Sequence, residues 1–341
     1  MRWITGHTNV VSFRVGSGSL KNLGQHVGRF VVTTMQVPWK ITQERLGARP
    51  EKIYLIESLQ QHSLDEQLAT LPPCDSVVAI GGGKAMDAGK YFAWKKGLRL
   101  ITVPTVLSVD AFVTPAAGVR SQQQVVYIGE SKPDPLVIDY DVIRTAPKEL
   151  NIAGIGDLLS AHTATYDWEL AHSQGKSEHP LSQSMVTRAR GIISDLFSVL
   201  PEIAQMTDKG IDAIVEGYLR MNAICLPAGH WRPEEGSEHY LFYELEERLQ
   251  RPFIHGHIIG LGIYLMSRLQ RNQHMGITQV MKRAGLSFQP AAIKITHEQL
   301  LSSLLNLKSY VQKENRFWYT VINQTEISKE WAEEAIAGLT F

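Results

Sequence analysis

The chain has 341 residues, of which 44% are apolar and 20% charged, with 34 Lys+Arg set against 34 Asp+Glu. These values suit a globular protein of one large or two ordinary domains with a sizeable core. A formal net charge of zero excludes a bulk field that would gather nucleic acid or an anionic membrane, so any anion site must be local.

Two cysteines, Cys74 and Cys225, exclude a disulfide framework and a Cys-rich zinc module, and fit a reducing compartment. The first residues lack an apolar core of signal-peptide length, and no apolar run reaches the roughly 18 residues of a membrane span. The expectation is a cytoplasmic chain with no membrane insertion and no nucleic-acid partner. Asn323-Gln324-Thr325 has the form of a glycosylation sequon, which is idle without secretion.

Short apolar runs alternate with helical patterns through the first 140 or so residues. Residues 10–14 read as a strand, 20–27 as a helix, 29–33 as a strand, 41–46 as a helix, 52–56 as a strand and 64–71 as a helix. Gly16-Ser17-Gly18 begins like a dinucleotide fingerprint, but Lys21 stands where its third glycine belongs, so it reads as a turn. At 77–80 the run Val-Val-Ala-Ile feeds Gly81, Gly82 and Gly83, and a helical pattern starts at Lys84. A helix N-terminus presents unpaired N–H groups and partial positive charge, and glycines let a diphosphate come close. The spacing matches neither G-x-G-x-x-G nor the P-loop. Another apolar run at 100–103 ends in Pro104, Thr105 and the polar Ser108-Val109-Asp110. Ligands of parallel sheets bind at the carboxyl ends of the strands, so both loops are expected to face a cleft. Segments 118–120 and 124–128 pair as a hairpin, and 135–139 is one more strand.

From Ala146 onward strand signals almost vanish. Helices are expected at 152–172, 181–200, 210–225, 239–249, 255–271, 278–284, 297–312 and 328–337. The boundary falls near Pro147, giving a domain at 1–146 and one at 147–341. Within the helical half, Asp157, His239 and His255 each follow or adjoin a glycine near a helix start. Two imidazoles and a carboxylate suit Zn²⁺ or Fe²⁺ and leave a position for substrate. Spacing alone does not assemble them. His239 and His255 are too far apart for one helical face, the chain has 12 histidines, and an acid in a first helical turn also serves the helix dipole.

The ordered set GGGKAMDAGK at 81–90, VPT and SVD within 103–110, GIGDLLSAHTATYDWELA at 154–171, RPEEGSEH at 232–239 and HGH at 255–257 resembles the glycerol-1-phosphate dehydrogenase branch of the superfamily of iron-containing alcohol dehydrogenases, glycerol dehydrogenase and dehydroquinate synthase. The resemblance runs from about Phe13 to the C-terminal helices. It implies a dehydroquinate synthase-like fold: a Rossmann-like α/β nucleotide-binding domain with a parallel sheet, then an all-α domain, with the active site between them. It implies NAD or NADP, its diphosphate at Gly81, Gly82 and Gly83, with Lys84 and Asp87 on the following helix and Thr105 and Ser108 toward the nicotinamide. It implies a divalent metal held by Asp157, His239 and His255, zinc first, with iron or nickel as the other candidates.

Asp110 matches the acid that contacts substrate hydroxyls. His257 is a candidate proton relay or a solvated helix-start residue, and Arg232 a substrate-anion contact or a salt-bridge partner of Glu234 or Glu238. The implied reaction is NAD(P)-linked oxidation of the secondary hydroxyl of a small polyol phosphate, sn-glycerol 1-phosphate to dihydroxyacetone phosphate. The alternatives are an unphosphorylated polyol such as glycerol, a carbocycle-forming synthase, and a non-catalytic binding protein. Asp157, where dehydroquinate synthases use Glu, favours the dehydrogenase. The chain departs from the branch at Val109, Ala111, Tyr166, Glu234, Glu235 and His257. Extra acid and missing base weigh against a bound phosphate dianion. The second strand ends Thr33-Thr34-Met35, without the acid that favours NAD, so NADP is permitted. A homo-oligomer is expected by family likeness.

Overall fold

The computed structural model describes residues 8–121, 124–314 and 317–341. The chain divides into two compact units, Met1–Asn151 and Ile152–Phe341.

The first unit is built on a six-stranded sheet of β1 (Phe13–Val15), β2 (Phe30–Thr34), β3 (Lys52–Leu55), β4 (Ser76–Gly81), β5 (Arg99–Pro104) and β8 (Pro133–Ile138). Its order is β1-β8-β5-β4-β2-β3, and every pairing is parallel. Strands covered on both faces need continuous rather than alternating apolar runs, and β2 and β4 are buried along their whole length. The remaining strands, β6 (Ala117–Ser121) and β7 (Gln124–Ile128), form the expected antiparallel hairpin.

One face of the sheet (Phe30, Val32, Val78, Ile80, Ile101, Val103, Val137) packs on Leu20, Leu23, Val27 and Leu46. The apolar pattern at 20–27 is therefore used, but not as the expected helix. Only a 3₁₀ turn forms, Leu23–His26, because Asn22 N–H donates to Arg45 O and Gly24 N–H to Leu46 O rather than along a helix. Gly16-Ser17-Gly18 is a turn, held by Asp139, which accepts from Gly18 and Leu20 N–H. The helix expected at 41–46 begins earlier, at Gln36–Thr42. Pro38 falls in its first turn, where a missing N–H costs nothing.

The second unit is all helix among its described residues. The principal helices are Ile155–Ser173, Gln183–Phe197, Asp208–Cys225, Ser237–Leu249, His255–Leu269, His274–Ala284, His297–Lys313 and Lys329–Ile336. The pattern at 181–200 breaks into two pieces, the second being Leu200–Gln205. The α/β plus all-α organisation is that expected from the sequence.

Candidate functional site

In the first unit β4 and β5 end side by side. Gly81 pairs with Pro104, and Thr105 N–H donates to Gly81 O at 3.0 Å. The glycine turn and the 105–110 loop therefore start from adjacent strand ends. Gly81 has φ +148°, and a Cβ there would meet Ala85 Cβ at 2.9 Å. The helix Gly83–Lys96 follows, and its N-cap, Gly82, has no side chain to satisfy the first-turn N–H groups. That is the arrangement in which a helix start receives an anion.

The other residues expected around the cofactor are distributed as follows. Thr105 is buried and Ser108 half-buried. Asp110 opens the 3₁₀ turn Asp110–Phe112 and is half-buried. Lys84 is exposed, and its ammonium donates to Glu57 O at 3.0 Å. Asp87 pairs with buried Lys90 at 2.9 Å, and that ammonium also donates to Thr114 Oγ1. Lys84 and Asp87 are thus engaged with the protein. At the end of β2, where an acid was sought, Met35 lies against the glycine turn, its Sδ 3.6 Å from where a Gly81 Cβ would stand.

In the second unit Asp157, His239 and His255 come together from three helices, each offering a ligand-type atom within 4.8 Å of the others. Close backbone approach makes this possible. A Cβ on Gly256 would lie 1.7 Å from Ala153 O, and one on Gly262 would lie 2.6 Å from Glu238 O. His255 Nε2 is 3.1 Å from Asp157 Oδ1, but without hydrogen-bond geometry. Both Asp157 carboxylate oxygens are buried with no hydrogen-bond partner. An ionised carboxylate so placed is costly unless a cation joins it.

His239 Nδ1 is 2.8 Å from Glu238 Oε1. Burial opposes charging His239, but Glu238, Glu235 and Asp157 outweigh it and push its pKa up to about 9. The cluster is thus built to hold positive charge. Of two acidic residues near it, Glu235 was expected from sequence as extra acid beside the substrate, whereas Glu238 was not placed here. Glu238 had been weighed only as a partner for Arg232. Glu235 has its carboxyl raised by burial and pulled back by His239 and His255, which puts it in the electrostatic neighbourhood of all three residues.

Two further candidate residues are both buried. Arg232 is fully buried; it donates to Tyr319 O at 2.6 Å and lies over the Trp318 ring at 5.3 Å. It anchors the C-terminal segment, and it is not a salt-bridge partner of Glu238, whose carboxylate is held by Gly236, His239 and Thr163. His257 is buried, which replaces the solvated helix-start alternative.

A family profile described as iron-containing alcohol dehydrogenase matches residues 33–147. A glycerol-1-phosphate dehydrogenase [NAD(P)+] from Pyrococcus horikoshii is 29% identical over 86% of this chain and 87% of its own. Its namesake from Aeropyrum pernix is 27% identical over 77% of this chain and 73% of its own. The chain is similar to the iron-containing alcohol dehydrogenase superfamily over most of its length. Within it the chain resembles the glycerol-1-phosphate dehydrogenase branch. Solved structures share the fold over nearly the full length: a glycerol dehydrogenase from Schizosaccharomyces pombe superposes with a TM-score of 0.74 at 19% identity, covering 98% of this chain and 90% of its own. A probable glycerol dehydrogenase from Sinorhizobium meliloti gives 0.73 at 17%, covering 96% of both.

Proposed function

We propose that the protein is a metal-dependent, NAD(P)-linked dehydrogenase of the secondary hydroxyl of a small polyol phosphate, interconverting sn-glycerol 1-phosphate and dihydroxyacetone phosphate. The observation that carries this reading is the convergence of Asp157, His239 and His255 around buried carboxylate oxygens that have no hydrogen-bond partner. The names of the relatives, each a glycerol-1-phosphate dehydrogenase [NAD(P)+], support the substrate. Residues 1–146 are assigned to the dinucleotide and 147–341 to metal and substrate.

Asp157, His239 and His255 hold the divalent cation, zinc by preference. The bound cation supplies Lewis acidity toward a secondary hydroxyl, and the nicotinamide supplies the hydride acceptor. Gly81, Gly82 and Gly83, with the uncapped helix start behind them, seat the diphosphate. Thr105 and Ser108 line the nicotinamide side, and Asp110 orients the neighbouring hydroxyl by accepting its hydrogen bond. His257 takes the proton that the reacting hydroxyl releases. The reading carries with it a cytoplasmic homo-oligomer, checked by light scattering. Among the described residues no helix is long and apolar enough to cross a membrane.

A second reading, an unphosphorylated polyol, draws on one observation: Glu235 adds negative charge beside the three-residue cluster. A substrate panel followed at the nicotinamide absorbance, with zinc added and then chelated, separates the two. Turnover of glycerol 1-phosphate well above glycerol is expected. Glu235→Ala should then lower the KM for the phosphate ester by several-fold, about 1 kcal/mol for one screened charge, and leave glycerol unchanged. Activity that survives full chelation rejects the metal-dependent reading altogether.

A further inference from the structure

The ligand-type side chains of the cluster are themselves held, and the holding group is Glu238. Its side chain is fully buried. Oε1 accepts from Gly236 N–H at 2.6 Å and faces His239 Nδ1 at 2.8 Å. Oε2 accepts from Thr163 Oγ1 at 2.7 Å. Thr163 is buried on the helix that also carries Asp157. Glu238 reaches back to Gly236 N–H, ahead of its own helix Ser237–Leu249, where a negative charge is favoured by the helix dipole. Both carboxylate oxygens are therefore engaged, by donors from two helices and from Gly236, the N-cap of the second.

We infer that Glu238 is a positioning residue that fixes His239 in the tautomer protonated on Nδ1, so that Nε2 is its ligand atom. This rests on the reading of Asp157, His239 and His255 as a metal site. An ionised carboxylate only accepts hydrogen bonds, whereas a neutral imidazole has one N–H and one lone pair. The nitrogen facing Glu238 must therefore carry the hydrogen, and the remaining nitrogen presents its lone pair. A carboxylate behind the ring also raises its basicity as a ligand, and loss of such a partner typically weakens metal binding about 10–100-fold. The Thr163 bond adds a second function. It ties His239, through Glu238, to the helix of Asp157, so two of the three ligands share one hydrogen-bonded frame.

The test uses the full chain, ¹⁵N-labelled at histidine and loaded with zinc, with the His239 signals assigned by their loss in His239→Gln. The expected spectrum has His239 protonated at Nδ1 and bound to zinc at Nε2. Zinc affinity is measured by competition with a chromophoric chelator, which needs no catalytic turnover. Glu238→Gln keeps an acceptor but loses the charge, and should bind zinc about 10–100-fold more weakly. Thr163→Val should weaken binding by less. Zinc on Nδ1 in the parent protein overturns the inference, as does parental affinity in Glu238→Gln. Should Glu238→Gln fail to give the near-ultraviolet circular dichroism of the parent, the parental spectrum and Thr163→Val decide. A parent that binds no zinc removes the metal reading and this inference together. A zinc-binding parent with unaltered variants removes this inference alone.

Discussion

Gly156 and Gly256 meet backbone to backbone: a Cβ on Gly156 would stand 2.3 Å from Gly256 O and 2.6 Å from Gly256 Cα. Each precedes or follows a residue of the three-residue cluster, Asp157 in one case and His255 in the other. Removal of two Cβ atoms lets the starts of two helices touch, and the touching brings the carboxylate to the imidazole. Gly256→Ala would drive its methyl into Ala153 O, at 1.7 Å, which is backbone and cannot turn aside. The helix starts must then separate, at a cost of about 1–3 kcal/mol or more. The expected result is a lower melting temperature and loss of stoichiometric zinc, with far-ultraviolet dichroism largely kept.

Asp157 gives a prediction whose sign depends on metal. Its carboxylate oxygens are buried with no hydrogen-bond partner, so without metal the charge is a burden. In chelator, Asp157→Asn is expected to melt at or above the parent temperature. In excess zinc the parent should gain stability by mass action and the variant should not. Thermal melts under the two conditions check this, and a variant that still gains with zinc excludes Asp157 as a ligand.

The raised His239 pKa sets a pH dependence. Below about 9 the metal-free imidazolium keeps its proton, and a cation must displace it. Zinc affinity should rise roughly tenfold per pH unit toward pH 9 and then level, with one proton released per zinc. For the chelated protein the sign follows from linkage. The folded pKa lies above the ordinary value of 6.5, so the stabilisation is complete below 6.5 and is lost as pH rises through about 9. Calorimetry in buffers of different ionisation enthalpy counts the protons, and denaturant melts in chelator follow the stability.

Met35 bears on cofactor choice. It lies beside the Gly81 turn, and no acid closes β2. An acid at that strand end hydrogen-bonds a ribose 2′-hydroxyl and repels a 2′-phosphate. Met35→Asp is expected to move the ratio of kcat/KM for NADH over NADPH toward NADH by at least about tenfold. An unchanged ratio would place the adenosine ribose elsewhere.

Much of the scaffold was legible because its signals are local. The continuous run at 77–80 and the glycines after it announce a buried parallel strand and a turn, and β4 and Gly81 are found there. The segment 20–27 misled because its apolar spacing serves the core while its N–H groups go to residues 45 and 46, a long-range preference that periodicity does not report. The gathering of Asp157 with His239 and His255 was legible only through resemblance, since the three lie on separate helices. Glu238 escaped notice for a geometric reason. Neighbouring residues on a helix point apart, and the contact with His239 forms only because the Glu238 side chain turns back over Gly236 at the helix start. Arg232, a candidate anion contact from its motif, serves also as an anchor, buried over the Trp318 ring with Tyr319 O as its acceptor.

That anchor bears on how the chain can be handled in the laboratory. Arg232 holds Tyr319 O, Tyr240 Oη accepts from Trp318 N–H, and Asp167 accepts from both Ser237 and Val321 N–H. The RPEEGSEH stretch and the last two dozen residues are therefore laced together around buried charges. A chain cut short after residue 314 would leave a guanidinium and a carboxylate sealed in the interior without these partners. Affinity tags and fusion partners belong beyond Phe341, and trimming the tail to aid crystallisation would remove the backbone groups that Arg232, Tyr240 and Asp167 hold.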